Sequence, residues 1–356
     1  MQFARVVTPY RNWAAALTAV MKWASWSNLA MIAATEELLL RSESLFNCAN
    51  VTLSIRFDPG TFNPSHLSRL RSSLVRVVAV QARPTDALAV ALVAREQGLV
   101  SVGYAWLWLE STELFEMSNA EKLRDAPSDE LQTAGQTEEC LRALQGWLFI
   151  SPINRIRQSL LDRVRAVATA GSGNQSMESV PRGLLGGPGA HTVDLLAANV
   201  YDSIMLYARA AGQVLRAKQS LSNAPAVLAA IKNIAFQGAT GFVRLDADGD
   251  RLDSIQTVNM VLTAGGALER IAVGVFDASL QQYTPDAGRT VVWPGGTTVR
   301  PADILQLCGP GKYTLDNGIR CRSCPPGTYS HGGGQSTTCT SCAPGMPCAM
   351  CLRARV

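Results

Sequence analysis

The sequence predicts an α/β fold built on a parallel sheet, followed by a small cysteine-rich module. Three observations carry this. Strand-like and helix-like runs alternate through the first 150 residues, the strand-like runs are apolar almost throughout, and seven of the nine cysteines crowd between Cys308 and Cys351. Alternation at this spacing marks β-α-β units with right-handed crossovers. Continuous apolar strands are what a sheet covered on both faces requires.

Taken in order, residues 9–24 have the spacing of an amphipathic helix and 27–34 that of a buried strand. Lys22, Ser25, Ser27 and Asn28 interrupt the apolar stretch between Trp13 and Ala34, so it reads neither as a signal peptide nor as a span of about twenty apolar residues. A helix over 36–45, an alternating strand over 51–57, a helix over 67–74 and a strand over 75–80 follow. Next come a helix over 85–97 ended by Gly98, a strand over 102–109, a short helix over 140–145 and a strand over 146–150. Residues 153–169 are helical. Residues 170–190, rich in Gly, Ser and Pro, form a surface loop. The long helix expected over 192–217 has apolar positions at Leu195, Leu196, Val200, Ile204 and Leu206. Another helix covers 225–234. Strands over 241–245 and 252–261 flank the turn 246–250, a β-hairpin by its turn chemistry. A strand over 271–276 and a loop through Trp293-Pro-Gly-Gly296 close the body, and residues 301–307 link it to the tail.

Composition excludes several functions. The 356 residues are 47% hydrophobic and 17% charged, with a net charge of +4 from 32 basic and 28 acidic residues, which is no nucleic-acid footprint. His66, His191 and His331 show no metal-ligand spacing, and no nucleophile elbow, phosphate loop or dinucleotide fingerprint occurs, so no catalytic residue and no cofactor is expected. Asp246, Asp248 and Asp250 imitate a calcium loop. Arg251 and Thr257 stand where its Gly and Glu belong, and strands flank it, which favours a hairpin turn.

Dense cysteine in a short tail reads as a disulfide module in an oxidising compartment. Cys308-Gly-Pro-Gly, Cys324-Pro-Pro-Gly and Cys342-Ala-Pro-Gly are three copies of one unit, at steps of sixteen and eighteen residues. Each copy has one small loop to staple, so Cys308–Cys321 and Cys324–Cys339 are expected, with a partner for Cys342 among Cys348 and Cys351. Cys48 and Cys140 are expected to pair with each other in the body. The alternative is a zinc ribbon at Cys321, Cys324, Cys339 and Cys342, which the repeat and the extra cysteines disfavour. Asn50-Val-Thr52 and Asn174-Gln-Ser176 are glycosylation acceptors that fit a secreted context.

The order of Phe3-Ala-Arg-Val, Trp26-Ser-Asn-Leu-Ala-Met-Ile, Val75-Arg-Val-Val-Ala-Val, Ala94-Arg-Glu-Gln-Gly-Leu, Gly103-Tyr-Ala-Trp and Gly146-Trp-Leu-Phe-Ile-Ser-Pro resembles a known family. Tyr201-Asp202, Phe236-x-Gly-x-Thr-Gly241, Val292-Trp-Pro-Gly-Gly296 and the cysteine module continue it. The chain resembles the ligand-binding ectodomain of class C G-protein-coupled receptors and receptor guanylyl cyclases, with metabotropic γ-aminobutyric acid receptors the nearest likeness. The resemblance implies a type-1 periplasmic-binding-protein-like bilobed domain over residues 1–300, followed by the linker and the module 308–356. The second lobe would span about 8–150 and 236–290, and 151–235 would be the remnant of an incomplete first lobe. It also implies a sensor at the extracellular face of the plasma membrane, dimeric in the full-length receptor, with any membrane attachment through segments not present in this chain. Without a complete first lobe, the chain alone is expected to bind feebly.

In such a lobe ligands meet the carboxyl ends of strands and the starts of the following helices. Those positions hold Glu36, Gln81, Arg83, Thr85, Trp108 and Glu110. Thr85 is placed to cap a helix whose amino end favours a carboxylate, Arg83 to pair with one, and Trp108 to pack on a ligand stem or cation. The plainer alternative makes Thr85 a cap only, Arg83 a solvated side chain and Trp108 strand core. The expected function is sensing a small amino-acid-like ligand between two lobes. A peptide-binding guanylyl-cyclase ectodomain and an intracellular α/β protein with a zinc ribbon are the alternatives.

Overall fold

The computed structural model describes residues 4, 6–34, 50–109, 139–140, 142–153, 195–305, 308–315, 320–331 and 338–342. The chain forms two compact units. The smaller holds Met1–Ala16, Ser151–Gln256 and Val275–Gln282, and the larger holds Leu17–Ile150, Thr257–Gly274 and Tyr283–Val356.

The larger unit is organised by a sheet. Strands β1 (Asn28–Ala33), β2 (Asn50–Arg56), β3 (Val77–Gln81), β4 (Ala105–Leu109) and β5 (Leu148–Pro152) lie in the order β2-β1-β3-β4-β5. All four pairings are parallel. Every residue of β3, β4 and β5 is buried, in keeping with sequences that are apolar apart from Gln81 and Ser151. Ile32, Val78, Val80, Trp106 and Phe149 lie in this core, and Trp106 stacks on Trp147 at 4.9 Å. Trp26 is buried just before β1, where its indole donates to the Pro301 carbonyl at 2.7 Å and meets the Trp293 ring edge-on.

The expected parallel sheet is present, and antiparallel pairing extends it on one side. Three further strands, β8 (Ser254–Leu262), β9 (Leu268–Asp277) and β10 (Gln282–Pro285), continue beyond β5 in the order β5-β8-β9-β10. Hydrogen bonds from Met260 to Trp147 and from Ile153 to Ser254 place β8 antiparallel to β5. The hairpin expected over 241–261 is therefore corrected. Its turn exists, closed by the Leu245–Arg251 bridge. Its second arm, however, joins the large sheet, while β7 (Phe242–Arg244) pairs with β6 (Ala235–Gln237) instead. Buried Asn259 anchors β8 by exchanging hydrogen bonds of 2.9 and 2.8 Å with the Val292 backbone. The Trp293-Pro-Gly-Gly loop packs so closely on Gly146 that a Cβ there would stand 2.2 Å from the Pro294 nitrogen.

In the smaller unit α4 (Leu195–Arg216) packs on α5 (Ala224–Asn233) through Ala210, Val214, Val227 and Ala230. The apolar stripe read from the sequence is corrected here. Leu206 is buried, but Val200 and Ile204 are 51% and 63% exposed, and the inward face carries Asn199 and Asp202. Asp202 accepts hydrogen bonds from the Ala239 and Thr240 amides and the Thr240 hydroxyl, which fastens the Phe236-x-Gly-x-Thr-Gly loop. Buried Arg251 donates to the Val6 carbonyl and the Thr240 hydroxyl and pairs with Asp253 at 2.6 Å. Desolvation pushes the Asp253 carboxyl above its ordinary pKa, against the pull of Arg251 and Thr8. Asp246, Asp248 and Asp250 converge on the Arg11 guanidinium, and Asp246 also accepts the Asp248 and Asp250 amides across the turn.

The tail is built from stapled hairpins. Strands β11 (Lys312–Leu315) and β12 (Arg320–Ser323) pair beside the Cys308–Cys321 disulfide, and β13 (Thr328–Tyr329) and β14 (Thr340–Ser341) beside Cys324–Cys339. Cys342 is also disulfide-bonded. Cys348 and Cys351 lie outside the described residues. With these sulfurs paired, no four-thiolate zinc cluster forms at Cys321, Cys324, Cys339 and Cys342, which removes the zinc-ribbon alternative. Cys140 is a free, fully buried thiol and not half of a bond to Cys48; Cys48 lies outside the described residues.

Candidate functional site

At the carboxyl end of β3 the chain leaves the sheet through Gln81-Ala82-Arg83 and enters α3 (Pro84–Glu96). Gln81 is the last strand residue. Its carbonyl accepts the Ala34 amide at 3.1 Å, which ties the ends of β3 and β1 together. Its side chain is buried, with the residue only 6% exposed, and its amide oxygen has no hydrogen-bond partner among the described residues. A buried acceptor without a donor is costly, of the order of 1–3 kcal/mol, so its persistence asks for an explanation.

The helix start differs from the sequence expectation. Arg83, not Thr85, is the N-cap residue, with extended backbone (φ −63°, ψ 160°) and no side-chain cap. Pro84 occupies the first helical position, where its fixed φ suits the helix and its missing N–H is not needed. Thr85 is exposed one residue further on. The amides of Thr85 and Asp86 have no carbonyl one turn back, as at any helix start. Asp86 places a carboxylate in this first turn and accepts the Gly60 amide at 2.7 Å. That charge offsets part of the helix dipole, so Arg83 is the main source of anion attraction here. Arg83 is exposed and has no ion pair among the described residues.

Trp108 is placed differently from the expectation. It is 0% exposed, meets Phe149 edge-on at 4.8 Å, and donates its indole N–H to the Ala82 carbonyl at 3.3 Å. Its ring has no face open to a ligand. It holds the β3–α3 turn in place from below. Gln81, Arg83 and Thr85 are thus brought together on one strand-to-helix turn, with Trp108 as their support. Glu36 and Glu110 lie outside the described residues. Sequence reasoning missed the role of Ala82 as the carbonyl that joins Trp108 to this turn, and no side-chain pattern could have signalled it.

Among the described residues no group of His, Cys, Asp and Glu is arranged to hold a metal, and no helix is long and apolar enough to cross a membrane.

Comparison with known proteins agrees with this architecture. The family model described as "Receptor family ligand binding region" matches residues 1–263. Atrial natriuretic peptide receptor 3 of Rattus norvegicus and that of Mus musculus are each similar at 34% identity over 79 residues. That stretch is 22% of this chain and 15% of each relative, so the match covers a small part of those receptors. A parallel-rich sheet and a family match over residues 1–263 lead to one conclusion: this chain belongs to the receptor family of ligand-binding regions, which are extracellular ligand-sensing domains.

Proposed function

We propose that this chain senses a small amino-acid-like ligand, bound without catalysis at the turn from β3 to α3, as part of a cell-surface receptor that is dimeric at full length. The observation that carries the reading is the buried amide oxygen of Gln81, which has no hydrogen-bond partner among the described residues, two positions before the exposed Arg83, which has no ion pair among them. An ammonium group supplies the donor that Gln81 lacks, and a carboxylate supplies the partner that Arg83 lacks. A molecule with both groups a few bonds apart answers both needs. Thr85, exposed in the first turn of the helix, offers a hydroxyl and a backbone amide as a third polar contact. Glu36 and Glu110 remain candidates at the neighbouring strand ends.

A second reading is favoured by one observation, the 79-residue similarity to a natriuretic peptide receptor. On that reading the ligand is a peptide and the domain acts mainly through contacts between receptor copies.

Saturation-transfer NMR separates the two, because it detects binding as weak as millimolar, about −4 kcal/mol. The chain is screened against a panel of free amino acids and amines and against disulfide-looped peptides. Signals from zwitterionic amino-acid-like molecules, lost in Arg83→Ala, support the first reading. Signals from peptides alone, unaffected by Arg83→Ala, support the second and sink the first.

A further inference from the structure

We infer that the groove between α4 and α5 binds the sulfate or phosphate ester of a small sugar-like molecule. The groove belongs to the smaller unit, and the inference does not rest on the ligand reading at the β3–α3 turn.

The groove has a volume of about 460 Å³ and is lined by Arg209, Gly212, Gln213 and Arg216 of α4 and by Asn233 and Ile234 at the end of α5. That volume falls in the range of small-molecule sites. Arg209, Gly212 and Arg216 stand at i, i+3 and i+7, so they share one face of the helix. The two arginines are about 10 Å apart along the axis, and the glycine leaves a notch between them. The Arg209 guanidinium is held 4.8 Å from the centre of the Phe236 ring. Among the described residues neither guanidinium makes an ion pair or a hydrogen bond.

Packing does not require Gly212. Its backbone is helical, and the nearest atom to a Cβ there would be an Arg216 guanidinium nitrogen at 3.5 Å, an ordinary contact. Glycine inside a 22-residue helix is among the least favourable choices, and alanine would fit. What glycine provides is an open notch between two guanidiniums.

Charge favours an anion in that notch. α4 and α5 carry Arg209, Arg216 and Lys232 against one carboxylate, Asp202, which is buried and engaged by the Ala239 and Thr240 amides. The carbonyl ends of the two helices together bring roughly one unit of partial negative charge. Two permanent guanidinium charges outweigh it. Each guanidinium offers a planar fork of donors. A planar carboxylate is matched by one such fork, whereas a tetrahedral oxyanion has oxygens enough to meet two from different directions. Gln213 and Asn233 each offer an amide that both donates and accepts, which suits the hydroxyls of a sugar.

Isothermal titration calorimetry on the full chain tests this with glucosamine 6-sulfate, glucose 6-phosphate, inorganic sulfate and inorganic phosphate. The two esters distinguish a sulfated glycan end from a soluble sugar phosphate as the source. At least one ester is expected to bind about tenfold more tightly than its inorganic ion, because the ion leaves Gln213 and Asn233 unused. Arg209→Gln and Arg216→Gln should each weaken that binding about tenfold or more. Lys218→Gln removes the same charge just outside the groove and should change affinity by less than about twofold in physiological salt. Gly212→Leu fills the notch. It should abolish binding while the thermal midpoint holds or rises by about 2 °C, since leucine is the better helix former. If Gly212→Leu fails to fold, Arg216→Gln against Lys218→Gln decides. No binding of either ester overturns the inference, as does ester affinity no greater than that of the inorganic ion. So do equal losses in Arg216→Gln and Lys218→Gln, or unchanged binding in a folded Gly212→Leu.

Discussion

Trp108 and Cys140 show what burial does to single residues here. Truncating Trp108 removes a ring packed against Phe149 and leaves the Ala82 carbonyl without its donor. Trp108→Ala should therefore cost about 3–5 kcal/mol, and Trp108→Phe, which loses chiefly the hydrogen bond, about 1–3. Urea denaturation checks both, and equal small losses would show the ring to be dispensable. At Cys140 burial, with a smaller push from Glu139, raises the thiol from 9.0 to about 11. Below pH 9 the thiol is neutral in both folded and unfolded chains and stability is unaffected. Between pH 9 and 11 the unfolded chain releases the proton and the folded chain keeps it, so stability falls as pH rises. Wild-type protein should lose stability relative to Cys140→Ala across that window, and its thiol should resist alkylation at pH 8 until the chain unfolds. Trp108 looked like a ligand contact in the sequence because it nears the end of its strand. Both faces of a parallel sheet are covered, so the sequence has no polar alternation from which its inward placement could be read.

At the scale of elements, the strands legible in the sequence were those whose burial is a local property. The runs at β1, β3, β4 and β5 are apolar regardless of partner. β8 was read as a strand, but its partner was not, because Gln256, Thr257 and Asn259 are buried polar residues whose placement depends on partners such as Trp147 and Val292 far along the chain. The α4 stripe misled for a related reason. Its inward face is fixed by Asp202 gripping the loop after β6, and Val200 and Ile204 are left outward. This grip gives a direct prediction. At Gly238 a Cβ would stand 2.4 Å from an Asp202 carboxylate oxygen. Gly238→Ala must displace that carboxylate from the amides it holds, and a loss of about 2–4 kcal/mol is expected from a buried, charged hydrogen-bond network. Hydrogen exchange should show the amides of Ala239 and Thr240 losing protection first. Full protection with unchanged stability would mean that the loop is held by other contacts.

At the scale of the whole molecule, the chain passes between its two units five times, and the tail adds hairpins stapled by Cys308–Cys321 and Cys324–Cys339. The disulfide ladder was legible because each repeat carries its own pair at short range. The candidate site was legible in part: Gln81, Arg83 and Thr85 share one turn because a strand end and a helix start are adjacent in sequence. The unpaired state of the Gln81 amide was not legible, because it depends on what the fold places around it. The same amide gives the sharpest test of a ligand-sensing role. Gln81→Leu roughly keeps the size of the side chain and removes an acceptor that has no partner among the described residues. Thermal unfolding and ligand binding are measured together on this variant and on wild type. The account predicts unchanged or higher stability, by up to about 1–3 kcal/mol, with binding of the amino-acid-like ligand lost. Unchanged binding would contradict it, because the buried oxygen would then have no part in holding the ligand.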